Sequence, residues 1–379
     1  MKSQFVHLVK AAMAMEPFPS HKSDPDDSEL LGLLCRHVGS IVRDLPAGRM
    51  KIIKMKVWLL PLIYTGLYVL ALVFAHRPLL YYGFFSLMGF MTVITFSSVI
   101  HELCHGNIYK KQSHNRLAYY LFDYLGANSY IWQQRHLLLH HRFPNVNGWD
   151  ADVEQKGPIA VFPAEPVRRV NRFQHLYIYL LYPLFMLNWL LVRDFRDFFS
   201  RSRIIRKVVD IPLVEYFRLF MFKAGYLTMM IILPVLLTGI NLLQSLLGLV
   251  VLCVSGSLLA MIVLLTPHIN SGNVFPSVDE KGIIPLTWLR HQFVSVNDIS
   301  NTNWFIRNVM GNFNHHLAHH IIPRFSSVYA PEITEAVKAF ALEHDFPYRS
   351  YTLSDSFRKH SQLIRNNAER AACLDDQVN

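Results

Sequence analysis

The sequence predicts an all-α integral membrane protein: four transmembrane helices paired as two hairpins, under a cytoplasmic helical cap. Three observations carry that reading, namely long apolar blocks, the basic residues that flank them, and histidine clusters placed just outside them. Of 379 residues, 52% are hydrophobic and only 17% are charged, where ordinary globular domains have roughly a quarter charged. The apolar residues gather into blocks rather than stripes. Val57–Ala75, Leu79–Ile100 and Leu242–Thr266 are each long enough, or nearly so, for the roughly 20 apolar residues that a spanning helix needs. A shorter charge-free block, Ala224–Ile240, follows Lys223.

The flanks set the orientation. Arg49, Lys51, Lys54 and Lys56 stand immediately before the first block, which places that end in the cytoplasm by the positive-inside rule. The link Ala75–Pro78 is too short for anything but a hairpin, and the charge-free link Gly239–Asn241 makes a second one. Both termini then lie on the cytoplasmic side of a multi-pass protein. No secretory signal is expected, because Asp24, Asp26, Asp27 and Glu29 precede the first apolar run. The four cysteines form no disulfide pattern, which fits a reducing compartment. A net charge of +10 on a membrane protein points to anionic lipid and not to nucleic acid.

A fifth apolar stretch, Leu176–Val192, runs into Arg193, Arg196, Arg201, Arg203, Arg206 and Lys207 interleaved with Phe195, Phe198, Phe199, Ile204 and Ile205. That alternation reads as an interfacial helix with a basic face. Residues 176–207 are therefore expected to lie in, or dip into, the cytoplasmic leaflet.

Nine of the 19 histidines fall in three segments totalling 17 residues, where even scattering would put about one. The segments are His101-Glu-Leu-Cys-His105, His136-Leu-Leu-Leu-His140-His141 and His315-His316-Leu-Ala-His319-His320. Residues three or four apart share a helix face, so His101/His105, His136/His140 and His316/His319/His320 can each converge on a metal. Adjacent histidines diverge by about 100°, so one member of a pair can serve each of two neighbouring metals. Eight imidazoles exceed one metal's needs, and the cap is expected to carry a histidine-rich di-metal site. All three segments must then share one side of the membrane, which a spanning 176–192 segment would prevent.

Imidazole ligation alone does not choose among iron, copper, zinc and nickel. The runs HELCHGN, RHLLLHHRFPN and NHHLAHHIIP, however, resemble the three histidine boxes of the membrane fatty acid desaturase and hydroxylase superfamily, over roughly Val57–Ser327. The resemblance implies two iron ions that activate dioxygen as co-substrate and oxidise a fatty acyl chain, with desaturation ahead of hydroxylation. By position, His101, His105, His136, His140, His141, His316, His319 and His320 match the boxes. His268, just after the last block, matches a further ligand, with His291 as its competitor, and His315 competes with His316. No cytochrome-b5-like segment is recognisable, so an external donor of ferredoxin or cytochrome b5 type is expected. The implied organisation is a cytosolic arm (1–56), a membrane-embedded desaturase-like catalytic domain (57–330) and a cytosolic helical tail (331–379).

HELCH also satisfies the zinc-protease pattern H-E-x-x-H, but such a protease has no use for two further clusters. A histidine-lined transporter would want histidines inside the spans. Cys104 is expected to pack and not to ligate. Ser97 and Ser98 read as channel lining or helix packing. Asp150, Asp152, Asp298 and Asn301 could orient imidazoles, with solvated loop residues as the plainer reading. His7, His21, His37, His76, His114, His175, His344 and His360 have no partners at useful spacing and are expected to be surface or interface residues.

Overall fold

The computed structural model describes residues 17–154, 158–265 and 267–376, with the side chains of 374–376 excluded; His7 lies outside the described residues. The first described helix, α1 (Pro25–Asp44), is capped by the Asp24 carboxylate and opens on a proline, a residue suited to the first helical turn. Helix α2 (Arg49–Val73) takes the basic cluster Arg49–Lys56 into its own first turns. A tight turn leads to α3 (Pro78–Cys104), which carries His101 near its end. A short helical stretch, α4, covers residues 129–140 and holds His136 and His140.

Helices α5 (Leu213–Thr238) and α6 (Leu242–Leu264) form the later hairpin. Its turn is set by Gly239, in the left-handed region at φ 73°, and by Asn241, whose side chain caps α6; glycine reaches that conformation without a Cβ clash. The helices that follow include α7 (Trp288–Ser295), α8 (His316–Ile321), α9 (Ala330–Glu343) and α10 (Leu353–Asp376). The described residues are not wholly helical. Two parallel two-residue ladders, Ser20–His21 with Ile283–Ile284 and Asp298–Ile299 with Ser350–Tyr351, pin chain ends across the helical cap.

Helices α3 and α6 form the spine. Tyr81 packs on Gly248 and Gly89 meets Gly256, so the two run parallel. A Cβ on Gly89 would stand 2.2 Å from the Leu252 carbonyl oxygen, so the crossing needs glycine, as close helix crossings in membranes commonly do. Because the helices are parallel, His101 and His268 emerge at the same end, each twelve residues beyond its glycine.

Among the described residues, five helical segments are long and apolar enough to cross a membrane, and Arg169–Val208 is one of them. It is not a straight helix: Pro183 falls in a tight 3₁₀ turn, and wider winding follows over Trp189–Arg193. Near its start the Gln174 amide bonds the Ala160 and Ile364 carbonyls. Near its end Arg193 donates to the Ala151 and Asp152 carbonyls. Between them, the Met186 amide donates to Ser257 Oγ and the Met186 sulfur lies against Gly256. Both ends thus stand level with the histidines, while the middle packs about 10 Å down α6 from its last residue, Leu264.

Candidate metal centre and acyl cavity

Nine histidines converge in two groups, His101, His105, His136, His141 and His319 in one, and His140, His268, His316 and His320 in the other. Within each group one ring nitrogen per residue lies within 4.8 Å of all the others. These are the nine positions singled out in the sequence, but the pairing within them differs. His136 joins His141, and His140 joins the other group; likewise His316 groups with His320 and not with His319. Adjacent histidines are split between groups, as the 100° divergence requires.

The reason for the changed pairing is local winding. The His141 amide bonds the His136 carbonyl, an i to i+5 bond, in place of the α-helical i+4. Such π-type turns occur mostly as single interruptions of α-helices. Another lies over Phe96–Ile100, directly before His101, whose amide bonds the Phe96 carbonyl. Within α8 the winding is regular, and His316 and His320, four apart, share a face.

Two carboxylates, the buried Asp150 and the partly buried Asp152, steer two of the rings. His140 Nδ1 meets Asp150 at 2.9 Å and His136 Nδ1 meets Asp152 at 3.0 Å, leaving Nε2 of each ring to face the cluster. Asp150 is fully buried and also accepts from the backbone of Asn145, Asp152 and Val153; it is no solvated loop residue. Asp298 does not touch a histidine ring. It accepts from the Leu317 amide at the start of α8 and from Tyr348. Asn301 caps the start of α10 at Leu353.

Burial pushes His136, His141, His268, His316, His319 and His320 well below the usual histidine range, and the neighbouring imidazoles add to the effect. His105 falls to about 3 from burial and from His140. His140 is the exception: burial opposes its charge, but Asp150, by charge and hydrogen bond, and Asp152 outweigh it and raise its pKa. A neutral imidazole is the ligating form.

The donor set fits metal ions. Nε2 of His105, His319 and His320 and Nδ1 of His141 and His268 are buried with no hydrogen-bond partner. Nε2 of His136 faces Nε2 of His101 and of His141, each at 3.1 Å. Buried polar groups in folded proteins almost always find partners, so these buried ring nitrogens suit metal ligation.

The competing histidines sit elsewhere. His291 is engaged by the Pro144 carbonyl and by His21, and His315 Nδ1 by Thr334. His360, expected to be a surface or interface residue, is buried: its Nδ1 donates to the Ile269 carbonyl and its Nε2 meets the Tyr182 hydroxyl. No partner at helical spacing could have revealed it, since Tyr182 is 178 residues away. Cys104 is buried in an apolar cluster, as its spacing indicates. Ser97 bonds the Val309 carbonyl, a helix-packing role.

Charged groups behind the site were invisible in the sequence. Arg135 is fully buried, pairing with Asp152 and Asp197, while Arg203 bridges Asp197 and Glu154. Of the residues read as a basic interfacial face, Arg203 therefore turns inward to Asp197, which also pairs with Arg135, the partner of the Asp152 carboxylate on His136. Glu102 accepts from the Ser327 amide, tying the first histidine segment to the chain after the third.

Beside the histidines lies a cavity of about 390 Å³, within the range of small-molecule sites. His101, His136, His140, His268 and His316 form one wall; much of the rest is apolar, largely from α6 and the 169–208 segment, with Asp152, Glu154, Arg193, Arg196 and Arg203 at its charged side.

The family profile for fatty acid desaturases matches residues 77–352, well over half of the chain. Among curated relatives, an acyl-lipid (8-3)-desaturase of Physcomitrium patens is 29% identical over 78% of this chain and 62% of its own length. An sn-1 linoleoyl-lipid 6-desaturase of Arthrospira platensis is 25% identical over 65% of this chain and 66% of its own. A protein of the same description from Synechocystis sp. is 25% identical over 67% and 71%. The match thus spans just under two thirds of the first two relatives. On the breadth of the family match, this chain belongs to the fatty acid desaturase family.

Proposed function

We propose that this chain is a membrane acyl desaturase that uses dioxygen and two histidine-held irons to place a carbon–carbon double bond in a lipid-linked acyl chain. The observation that carries this reading is the adjacency of two imidazole groups to an apolar cavity they partly line. The acyl-lipid descriptions of the relatives support a glycerolipid-linked substrate. In the balanced reaction a methylene pair gives up two hydrogens, an external one-electron carrier of ferredoxin or cytochrome b5 type supplies two electrons, and solvent supplies two protons. Both oxygen atoms leave as water.

His101, His105, His136, His141 and His319 would hold one iron, and His140, His268, His316 and His320 the other. Bound iron supplies reductive activation of dioxygen and the power to remove hydrogen from an unactivated methylene. The chain's own residues do the rest. Asp150 and Asp152 fix ring orientation, which keeps ligands basic and aimed. The apolar cavity wall holds the acyl chain at a fixed distance from the histidine wall and excludes water, as directed oxidation requires.

The 169–208 segment, with both ends level with the histidines, fits a re-entrant loop that leaves four crossings. The basic residues before α2 favour a cytoplasmic site and cytoplasmic termini. Expression in a host of defined lipid composition, with mass spectrometry of its acyl chains, tests the activity. A new double bond at one position supports desaturation; an alcohol would mean hydroxylation; unchanged lipids with intact iron and donor would overturn the reading.

A further inference from the structure

A second apolar cavity, of about 60 Å³, lies deeper between α3, α5, α6 and the 169–208 segment. It shares four lining residues with the larger cavity beside the histidines: Phe96, Phe185, Trp189 and Leu264. Three of the four are aromatic. Phe185 and Trp189 meet edge to face at 5.5 Å between ring centres, and Phe122, from the deeper cavity's wall, contacts both Phe96 and Trp189. The four residues thus form a partition between two apolar spaces.

The deeper space runs away from the metal-binding rings. Its α6 walls are Leu264, Ala260 and Cys253, so its floor lies about 16 Å further along the helix from the histidines than Leu264 does. On α3 it is bounded by Thr92 and Val93, below Phe96, and its far side includes Gly126 and Tyr226. Nothing charged lines it. The space is too small and apolar for a headgroup or a separate substrate, yet it is collinear with the large cavity along two helices.

We propose that the Phe96–Phe185–Trp189–Leu264 partition is the stop that sets acyl chain length, and that the space behind it is a latent subsite for the methyl end of longer chains. The proposal rests on the acyl-desaturase reading above. A chain entering beside His101 and His268 ends at the partition, so each extra methylene must displace an aromatic ring before it can be buried. Phe185 is the residue to test, because it touches no metal-binding histidine. Trp189, by contrast, also lies under the guanidinium groups of Arg135 and Arg193, which serve the histidine wall.

The experiment compares acyl substrates of graded length with the full-length membrane protein. Phe185→Ala should raise the ratio of kcat/KM for the longer over the preferred chain by about tenfold or more, since one methylene in an apolar pocket typically discriminates by at least that much. Phe185→Leu should shift it in the same direction but less. Adding Cys253→Phe to Phe185→Ala, which refills the deeper space from its floor, should abolish the gain. Iron content and yield of detergent-extracted protein serve as folding controls. An unchanged length profile in both single variants, with iron retained, overturns the proposal. So does a gain that survives Cys253→Phe. Failure of the parent reading would look different: the unaltered protein would oxidise no acyl chain of any length.

Discussion

Asp152 receives His136 Nδ1 on one carboxylate oxygen, at 3.0 Å, while its other oxygen pairs with the buried Arg135 guanidinium at 3.2 Å. One carboxylate therefore joins a ring of the histidine cluster to a charged network reaching Asp197, Arg203 and Glu154. Asp152→Asn should weaken iron binding by about 10–100-fold, the usual cost of losing a ligand's orienting partner. Asp150→Asn should do the same through His140. Iron retention after graded dialysis reads both; unaltered retention in both would mean that the carboxylates do not orient the rings.

Two groups of histidines could each hold a metal ion, and the proposed function assigns an iron to each. Purified active protein should contain close to two irons per chain, and chelation should abolish turnover, with activity returning on iron addition. Elemental analysis that finds zinc, with no iron-dependent activity, would contradict the assignment.

The structure separates nine converging histidines from their neighbours in sequence. Alanine at His101, His105, His136, His140, His141, His268, His316, His319 or His320 should abolish turnover and lower iron occupancy. His291→Ala and His315→Ala should keep iron, because their rings are engaged by Pro144 and Thr334. His114→Ala should remain fully active. Loss of iron from His291→Ala with retention in His268→Ala would reverse the choice between those two.

The crossing of α3 and α6 should be intolerant of added bulk. A Cβ at Gly89 meets the Leu252 carbonyl oxygen at 2.2 Å and Ser255 Oγ at 2.3 Å. Gly89→Val should therefore cost about 1–3 kcal/mol, typical of overpacking, read as a lower melting temperature in detergent. Gly66→Val, at a position where an added Cβ meets nothing, is the control.

Re-entrance of the 169–208 segment predicts that Asn147→Cys, Arg201→Cys and Lys281→Cys, each in a cysteine-free background, are all protected from an impermeant reagent outside intact cells. Labelling of Lys281→Cys alone would show that the segment crosses.

Much of this was legible before any coordinates, because apolar blocks and histidine spacing are local properties of the chain. The nine converging histidines could be named from spacing and box position. What escaped were relationships between distant residues. Asp150 and Asp152 are ordinary acids in a loop until Asn145, with its side chain on the His268 and Ser295 carbonyls, folds that loop under the rings. His360 acquires its environment only when α10 packs against the 169–208 segment. The Arg203 that reads as a lipid-facing cation turns inward because Asp197 and Glu154 await it.

The wide turn before His101 has a consequence of its own. His101 is twelve residues beyond Gly89, which in uninterrupted α-helix would carry it about 120° around the axis, away from α6. The wide turn absorbs one residue without advancing the rotation, returning His101 by about 100° toward the side from which His268 arrives. The turn between His136 and His141 takes up a residue in the same way. Each of these two helices therefore holds one residue of slack. A chain one residue shorter at either turn could close into plain α-helix with its histidines still aimed correctly, whereas a chain one residue longer would have to swing them off target.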